Sequence, residues 1–297
     1  MNLTAVLFLL IMMITKYKIG NFTAEVKSQI PFYNTKPYSL FSYNGELTDY
    51  SITLEFSSVL PSEIENPYYT ARDRVCVYEN GVLKCCYTSH DIDEDYYAFR
   101  MVDGKNINIV INERYRDLLR SDVVFSLLGI EELVAESGGC ILHSSFIEKD
   151  GGAILFTGPC DIGKSTQANL WKEFANAVVV NGDKTFIFEE NGVFYASGMP
   201  FSGSSKDCLN RVLPLKAIIS LQQADSNNAH RLITNETFYT LYKNCYPVPY
   251  SRELTGRLID FVQKLSQNVP VYDYACLADE SAVRYLEREL CPLLQSL

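Results

Sequence analysis

With 297 residues, 47% of them hydrophobic and 21% charged, the chain has enough apolar content for one large core or two modest ones. Its formal net charge is −10, from 36 acidic against 26 basic side chains, and no Lys/Arg run interrupts it. That balance argues against non-specific binding to nucleic acid or to an anionic membrane, both of which need basic patches. The cysteines (Cys76, Cys85, Cys86, Cys140, Cys160, Cys208, Cys245, Cys276 and Cys291) are odd in number, scattered and without a C-x-x-C pair. With only three histidines beside them, the pattern speaks against zinc and for reduced thiols in a cytoplasmic protein.

The chain opens on an apolar stretch, Leu3 to Ile14, too short to span a bilayer comfortably and without the positive start or small-residue cleavage site of a secretory signal. Met12 and Met13 stand just before a strand-like pattern at Lys16-Tyr17-Lys18-Ile19. Residues 1–14 therefore read as an extension upstream of the true start, with a membrane anchor as the competing reading. Residues 15–118 read as β-rich. Ser51 to Phe56 alternates with period two. Strands at Arg74–Glu79 and Val82–Thr88 flank Asn80-Gly81, and strands at Tyr96–Val102 and Ile107–Ile111 flank Asp103-Gly104, both dipeptides suited to hairpin turns. No chemical motif occurs here.

Residues 119–297 change character. A helix capped by Ser121 is expected to pack Val123, Phe125, Leu127, Leu128, Ile130, Leu133 and Val134 on one face and to end at Gly138-Gly139. Two apolar strands follow, Cys140–Ile147 and Ala153–Thr157, joined by Lys149-Asp150-Gly151-Gly152. Lys164 to Phe174 reads as a helix with Ala168, Leu170, Trp171 and Phe174 turned inward. A short buried strand, Ala177–Val180, ends in Asn181-Gly182-Asp183, and a hairpin turn is expected at Asn191-Gly192. Strands at Ala217–Leu221 and Val271–Tyr274 alternate with helical faces on Phe238-Leu241-Tyr242-Cys245, Leu258-Phe261-Val262-Leu265 and Ala282-Val283-Leu286-Leu290.

The most specific motif is Gly158-Pro159-Cys160-Asp161-Ile162-Gly163-Lys164-Ser165-Thr166, which satisfies the P-loop pattern between an apolar strand and an amphipathic helix. Backbone N–H groups of such a loop, with the helix N-terminus, face anionic oxygens. Lys164 is expected at the β- and γ-phosphates, and the Ser165 hydroxyl on Mg²⁺. Asp161 brings a negative charge where many such loops have glycine; aspartate tolerates a left-handed backbone, but its charge opposes phosphate. Asp183, ending a buried strand close after the loop helix, is placed to hold the metal, with an ordinary turn aspartate as the plainer reading. If the two strands before the loop pair about Asp150, His143 falls opposite Thr157, beside the mouth of the loop. There its imidazole serves acid–base chemistry or simply fills a core position.

The segment from His143 through Asp183 resembles the C-terminal catalytic domain of HPr kinase/phosphorylase and its relatives, a P-loop fold of the phosphoenolpyruvate-carboxykinase type. His143 precedes the first loop glycine by fifteen residues, and an acid ends the next strand. The likeness extends into Gly198-Met199-Pro200-Phe201-Ser202-Gly203-Ser204 and Pro214-Leu215-Lys216-Ala217-Ile218-Ile219, covering about half the chain. Gly182 stands where that family has the first acid of a pair, and no second family signature is present. The resemblance implies ATP and Mg²⁺ at Gly158, Gly163, Lys164, Ser165 and Thr166. It implies Asp183 as metal ligand or base, supported by His143.

The expectation is a mixed α/β protein, a P-loop kinase domain of this type behind a β-rich N-terminal region. It would transfer the γ-phosphate of ATP to a hydroxyl of a protein, peptide or small-molecule acceptor, using Asp183, His143 and Lys164. No nucleic-acid or membrane partner is expected, and a homo-oligomer is compatible with the sequence. The rival expectation is a nucleotide-sensing protein with little turnover. A carboxykinase acting on a small acid is a weaker third reading, because it lacks an anion-binding arginine cluster.

Overall fold

The computed structural model describes residues 13–28, 36–60, 64, 66–71, 74–79, 81–88, 96–118, 127–201 and 203–294. The apolar stretch through Met12, Asn80 of the first hairpin turn, and the expected helix start at Ser121, Val123 and Phe125 lie outside them. The protein is a mixed α/β structure with two large sheets, and five α-helices are found among the described residues. It divides into two compact units, residues 1–18 with 22–130 and residues 19–21 with 131–297.

The first unit is built on an eight-stranded sheet. Its strands are β1 (Met13–Ile19), β2 (Phe22–Ser28), β3 (Tyr50–Ser57), β4 (Tyr69–Thr70), β5 (Arg74–Glu79), β6 (Val82–Tyr87), β7 (Ala98–Asp103) and β8 (Asn106–Asn112). They are ordered β1-β2-β3-β8-β7-β6-β5-β4. In β8, Ile107, Ile109 and Ile111 are buried while Asn106 and Asn108 are exposed, the alternation of a half-buried strand. The β7–β8 turn differs from the Asp103-Gly104 expected. Asp103 pairs with Asn106, so the two turn residues are Gly104 and Lys105, and of these only Gly104 takes a positive φ. A glycine at the first central position suits a type II′ hairpin and moves the turn one residue along.

Where the first unit ends, Gly129 takes φ of 66° and breaks the expected helical run, leaving α1 as Ile130–Glu136. In the second unit the strands are β9 (Gly139–Lys149), β10 (Gly152–Thr157), β11 (Val178–Asn181), β12 (Lys184–Glu190), β13 (Val193–Ser197), β14 (Val212–Gln223), β15 (Asn228–Arg231) and β16 (Val271–Cys276). Two strands are long enough to serve two partner sets. The first half of β9 pairs with β12, and its second half pairs with β10 and β11. The start of β14 pairs with β13, and the remainder lies parallel between β10 and β16. Pro214 sits where β14 opposes Tyr195 of β13, so the strand begins five residues earlier than the apolar run Ala217–Leu221 indicates.

Both faces of the β10–β14–β16 region are covered, which is why β10 is buried at every position. On one face Ile154, Phe156, Ala217 and Ile219 pack against α2 (Lys164–Phe174) and α5 (Glu280–Leu294) through Ala168, Trp171, Val283, Leu286 and Leu290. On the other, Leu155, Leu142 and Ile218 pack against α3 (Thr234–Tyr242) and α4 (Arg252–Asn268) through Leu241, Leu258, Phe261, Val262 and Leu265. Of the inward residues expected on α2, Ala168 and Trp171 are fully buried, whereas Leu170 and Phe174 pack at its margin. Cys245 is not on the α3 face; the helix ends at Tyr242, and Cys245 forms an isolated bridge with Leu142 of β9.

All nine cysteines are free thiols, five of them buried. No helix among the described residues is long and apolar enough to cross a membrane.

Phe156 is fully buried, with its ring 6.1 Å from that of Trp171, the only tryptophan. Phe156→Ala is expected to lower the unfolding free energy by about 3–5 kcal/mol, read by denaturant titration of circular dichroism and Trp171 fluorescence. A loss below about 1 kcal/mol would contradict this packing.

Candidate functional site

The site forms at the C-terminal end of β10, a central strand flanked by β9 and β14, where open α/β sheets commonly bind ligands. Beyond Thr157 the chain turns through Gly158 (φ 141°), Asp161 (φ 61°) and Gly163 (φ 110°) into α2. Positive φ at alternate points of a short loop turns successive N–H groups toward one concavity, which suits an anion. Asp161 occupies its left-handed position without glycine, as its side chain allows, and its carbonyl accepts from Gln223 Nε2 at 3.4 Å.

Lys164 begins α2 and is only 8% exposed. Its ammonium folds back over the loop and donates to the carbonyls of Gly158 (3.1 Å) and Pro159 (2.9 Å). Burial pulls its pKa below the ordinary lysine value, and the neighbouring Cys160, Asp183 and Asp161 oppose that shift. These bonds to carbonyl oxygens are exchangeable for bonds to other oxygens at the same place.

His143 is fixed on both backbone sides. Its N–H donates to the Asn244 carbonyl at 2.9 Å, and its own carbonyl accepts from the Thr157 hydroxyl at 2.8 Å. Thr157 is paired with Ser144 rather than with His143 as expected. The reason is the hairpin turn: Asp150 (φ 48°) and Gly151 (φ 76°) form a two-residue loop closed by Lys149 and Gly152, which shifts the register by one. The Thr157 side chain nevertheless spans that offset.

Asp183 lies in the turn between β11 and β12. Its carbonyl accepts from the Ser144 N–H at 3.0 Å, and the Gly182 carbonyl accepts from the Ser145 hydroxyl at 3.2 Å. The Asp183 carboxylate sits 3.5 Å from His143 Nε2, at the outer limit of a hydrogen bond. Donation by His143 holds the Asp183 carboxyl below its ordinary pKa against the opposite pull of burial, and the charges of His143, Lys184 and Lys164 add to the effect.

Asn181 organises this turn and escapes a reading that treats it as turn chemistry. It is fully buried, and its Oδ1 accepts from the N–H groups of Asp183 (2.9 Å) and Lys184 (3.0 Å). Its Nδ2 donates to the carbonyls of Met199 (2.9 Å) and Phe201, tying the segment after β13 to the acid. In that segment Gly203 takes φ of 56°, and a Cβ there would lie 3.0 Å from the Cβ of Asp183. Only glycine combines that conformation with that approach. Tyr246, far away in sequence, also reaches the site. Its N–H donates to Ile141 of β9, and its ring meets that of His143 edge-on at 6.3 Å.

A cavity of about 300 Å³ lies between these parts. His143, Gly182, Asp183 and Gly203 border it together with Cys160, Asp161, Gly163, Lys164, Ser165 and Thr166. Of the other residues in the motif, Gly158 is buried, Pro159 is exposed outside the cavity lining, and Ile162 packs at the apolar cluster under α2. The fold thus gathers His143, Asp183, Lys164 and the second half of the loop around one space.

Residues 110–278 match the family model described as SynChlorMet cassette protein ScmC. No curated protein matches the chain. Among solved structures, the Hpr(Ser) kinase/phosphatase from Coxiella burnetii aligns at 16% identity over 50% of this chain and 97% of that one, with a TM-score of 0.29.

Two expectations follow from the geometry. Asn181→Ala strips partners from buried backbone groups on both sides of the site and should cost about 2–3 kcal/mol in denaturant unfolding; a change within about 0.5 kcal/mol would contradict its bridging role. The depressed Asp183 pKa means the folded state gains from the ionised carboxylate above the unfolded-state pKa, and loses that gain as pH falls through the folded value. His143→Gln should move the Asp183 carboxyl up toward the ordinary aspartate range in a carbon-13 NMR titration and shrink this acid-side loss. An unmoved titration would show that His143 does not set it.

Proposed function

This chain belongs to the SynChlorMet cassette protein ScmC family, and we propose that it binds ATP at Gly158–Thr166 and transfers the terminal phosphate to an acceptor hydroxyl. The observation that carries the reading is the cavity in which Lys164, Ser165 and Thr166 face the same space as His143 and Asp183. A phosphate-binding loop alone supports binding; an acid opposite it supports transfer.

The residues present fit a magnesium–triphosphate. Lys164 holds two carbonyls of the loop, oxygens that phosphate oxygens can replace. Ser165 and Thr166 are exposed toward the cavity, and Asp183 is kept ionised by His143. Among the described residues no cluster of three or more His, Cys, Asp or Glu is assembled for a metal. Ser165 would therefore hold a cation directly, and Asp183 would reach it through a water, the remaining ligands coming from phosphate and water as Mg²⁺ allows. Bound Mg²⁺–ATP supplies a transferable phosphoryl group whose charge is partly neutralised.

The protein's own part is positioning and proton transfer. The Asp183 carboxylate accepts the proton of the acceptor hydroxyl, and the freed oxygen attacks the terminal phosphorus while the bond to the departing diphosphate breaks. His143 keeps the carboxylate ionised and oriented before the proton is taken up. Lys164 neutralises the developing negative charge.

A second reading has its own support. Asp161 sets a carboxylate at the cavity, and Gly182 offers no second acid, so a protein that binds nucleotide with little turnover also fits these residues. Calorimetry with Mg²⁺–ATP and a turnover assay separate the two. Lys164→Ala is expected to weaken ATP binding by at least about tenfold. Asp183→Asn should keep binding within a few-fold and slow transfer by about a hundredfold or more. Binding without turnover in the wild type selects the sensing reading; absence of binding in both wild type and Lys164→Ala defeats both.

A further inference from the structure

Lys184 is the next residue after Asp183; its charge helps to keep that carboxyl ionised, and the transfer step gives its ammonium no contact with substrate. Its Cα is paired with that of His143 across β9 and β12, so both side chains leave the sheet on the same face. The ammonium lies 4.3 Å from the centre of the Tyr246 ring and 4.5 Å from that of Phe201. The Phe201 backbone is held by the bond from Asn181 to its carbonyl, and the Tyr246 backbone by its N–H bond to Ile141.

Aromatic faces attract a cation without accepting its N–H hydrogen bonds in the way an oxygen does. Lys184 is half-buried, yet among the described residues its ammonium has no carboxylate within 4.0 Å and no hydrogen-bond acceptor. The Tyr246 hydroxyl likewise has no acceptor among them. Burial pushes that phenol up to about 12, so it stays protonated and able to donate at neutral pH. An ammonium held over two aromatic faces and a neutral phenol therefore stand beside the Asp183–His143 pair that borders the phosphate cavity, open to solvent and with no protein acceptor among the described residues.

We infer that Lys184, Tyr246 and Phe201 form an acceptor subsite, and that the acceptor carries a carboxylate near the hydroxyl to be phosphorylated. The inference rests on the phosphotransfer reading and names its substrate class. Lys184 and the Tyr246 hydroxyl bind the carboxylate, and the Phe201 ring packs on the carbon adjoining it. This holds the hydroxyl toward Asp183. The net charge of −10 repels anions at long range, so a local cation supplies what the overall field does not.

The test uses the full chain with lysine labelled at Cε, with and without Mg²⁺ and a non-hydrolysable ATP analogue. The Lys184 signal is assigned by its loss in Lys184→Gln. D-glycerate, N-acetylserine and acetate are titrated against glycerol, N-acetylserinamide and acetamide. The carboxylates should shift the Lys184 signal saturably and the neutral partners should not. Tyr246→Phe, which keeps the ring, should weaken carboxylate binding several-fold, and Lys184→Gln should bind the ATP analogue within twofold of wild type. If no carboxylate moves the signal in either nucleotide state, the subsite is wrong. A tenfold loss of analogue binding in Lys184→Gln would also overturn it, since the anion would then be the nucleotide's own phosphate. Wild type that binds carboxylates but no nucleotide would instead remove the phosphotransfer reading and leave an anion site.

Discussion

Strand β9 is held on both edges by different partners along its length, and the change of partner falls at His143. Up to that residue β9 lies against Asn244–Tyr246 on one side and β12 on the other; beyond it β10 and β11 take over. The two-residue turn at Asp150-Gly151 sets where β10 ends relative to this switch. Everything at the site inherits that register. The loop starts where Thr157 reaches the His143 carbonyl, and the acid turn sits where Ser144 and Ser145 hold Asp183 and Gly182. A slip by one residue would turn every side chain of β9 to the opposite face and separate the histidine from the acid.

Electrostatics at the cavity are balanced rather than uniformly positive. Lys164 is nearly buried and tied to carbonyls, Asp183 is kept ionised by His143, and Asp161 adds a carboxylate on the loop itself. Under the proposed function, a triphosphate in this space would give Lys164 a further anionic partner and a cation would offset the acids. Gly182 and Gly203 contribute room instead of charge, and Gly203 alone permits the segment after β13 to lie against Asp183. The acid is thus shaped as much by backbone hydrogen bonds and a missing Cβ as by neighbouring charges.

Local patterns made part of this arrangement legible from sequence. The apolar run before Gly158, the glycines at the two loop ends and the amphipathic Lys164–Phe174 each depend on near neighbours, and the elements appear where those patterns put them. The Asn191-Gly192 turn is equally local, with both residues at positive φ. Non-local pairing was less visible. The register of β9 depends on how two residues share a turn, and the sequence pattern allowed an error of one. Asn181 looks like ordinary turn chemistry because its four partners come from two separate segments. Tyr246 carries no motif and reaches His143 only because the chain after α3 runs beside β9. Pro214 disguised the start of β14, since a proline usually marks the end of a strand; here the strand passes from β13 to β10 near that point.

The central claim is that the Gly158–Thr166 loop and the His143–Asp183 pair serve one bound nucleotide. A crystal structure of the chain with Mg²⁺ and a non-hydrolysable ATP analogue tests it most directly. The β- and γ-phosphates are expected in the cavity, with Lys164 Nζ bonded to them in place of the Gly158 and Pro159 carbonyls. The terminal phosphate is expected on the side bordered by Asp183. Nucleotide bound elsewhere, or Lys164 still bonded to both carbonyls beneath it, would contradict the account.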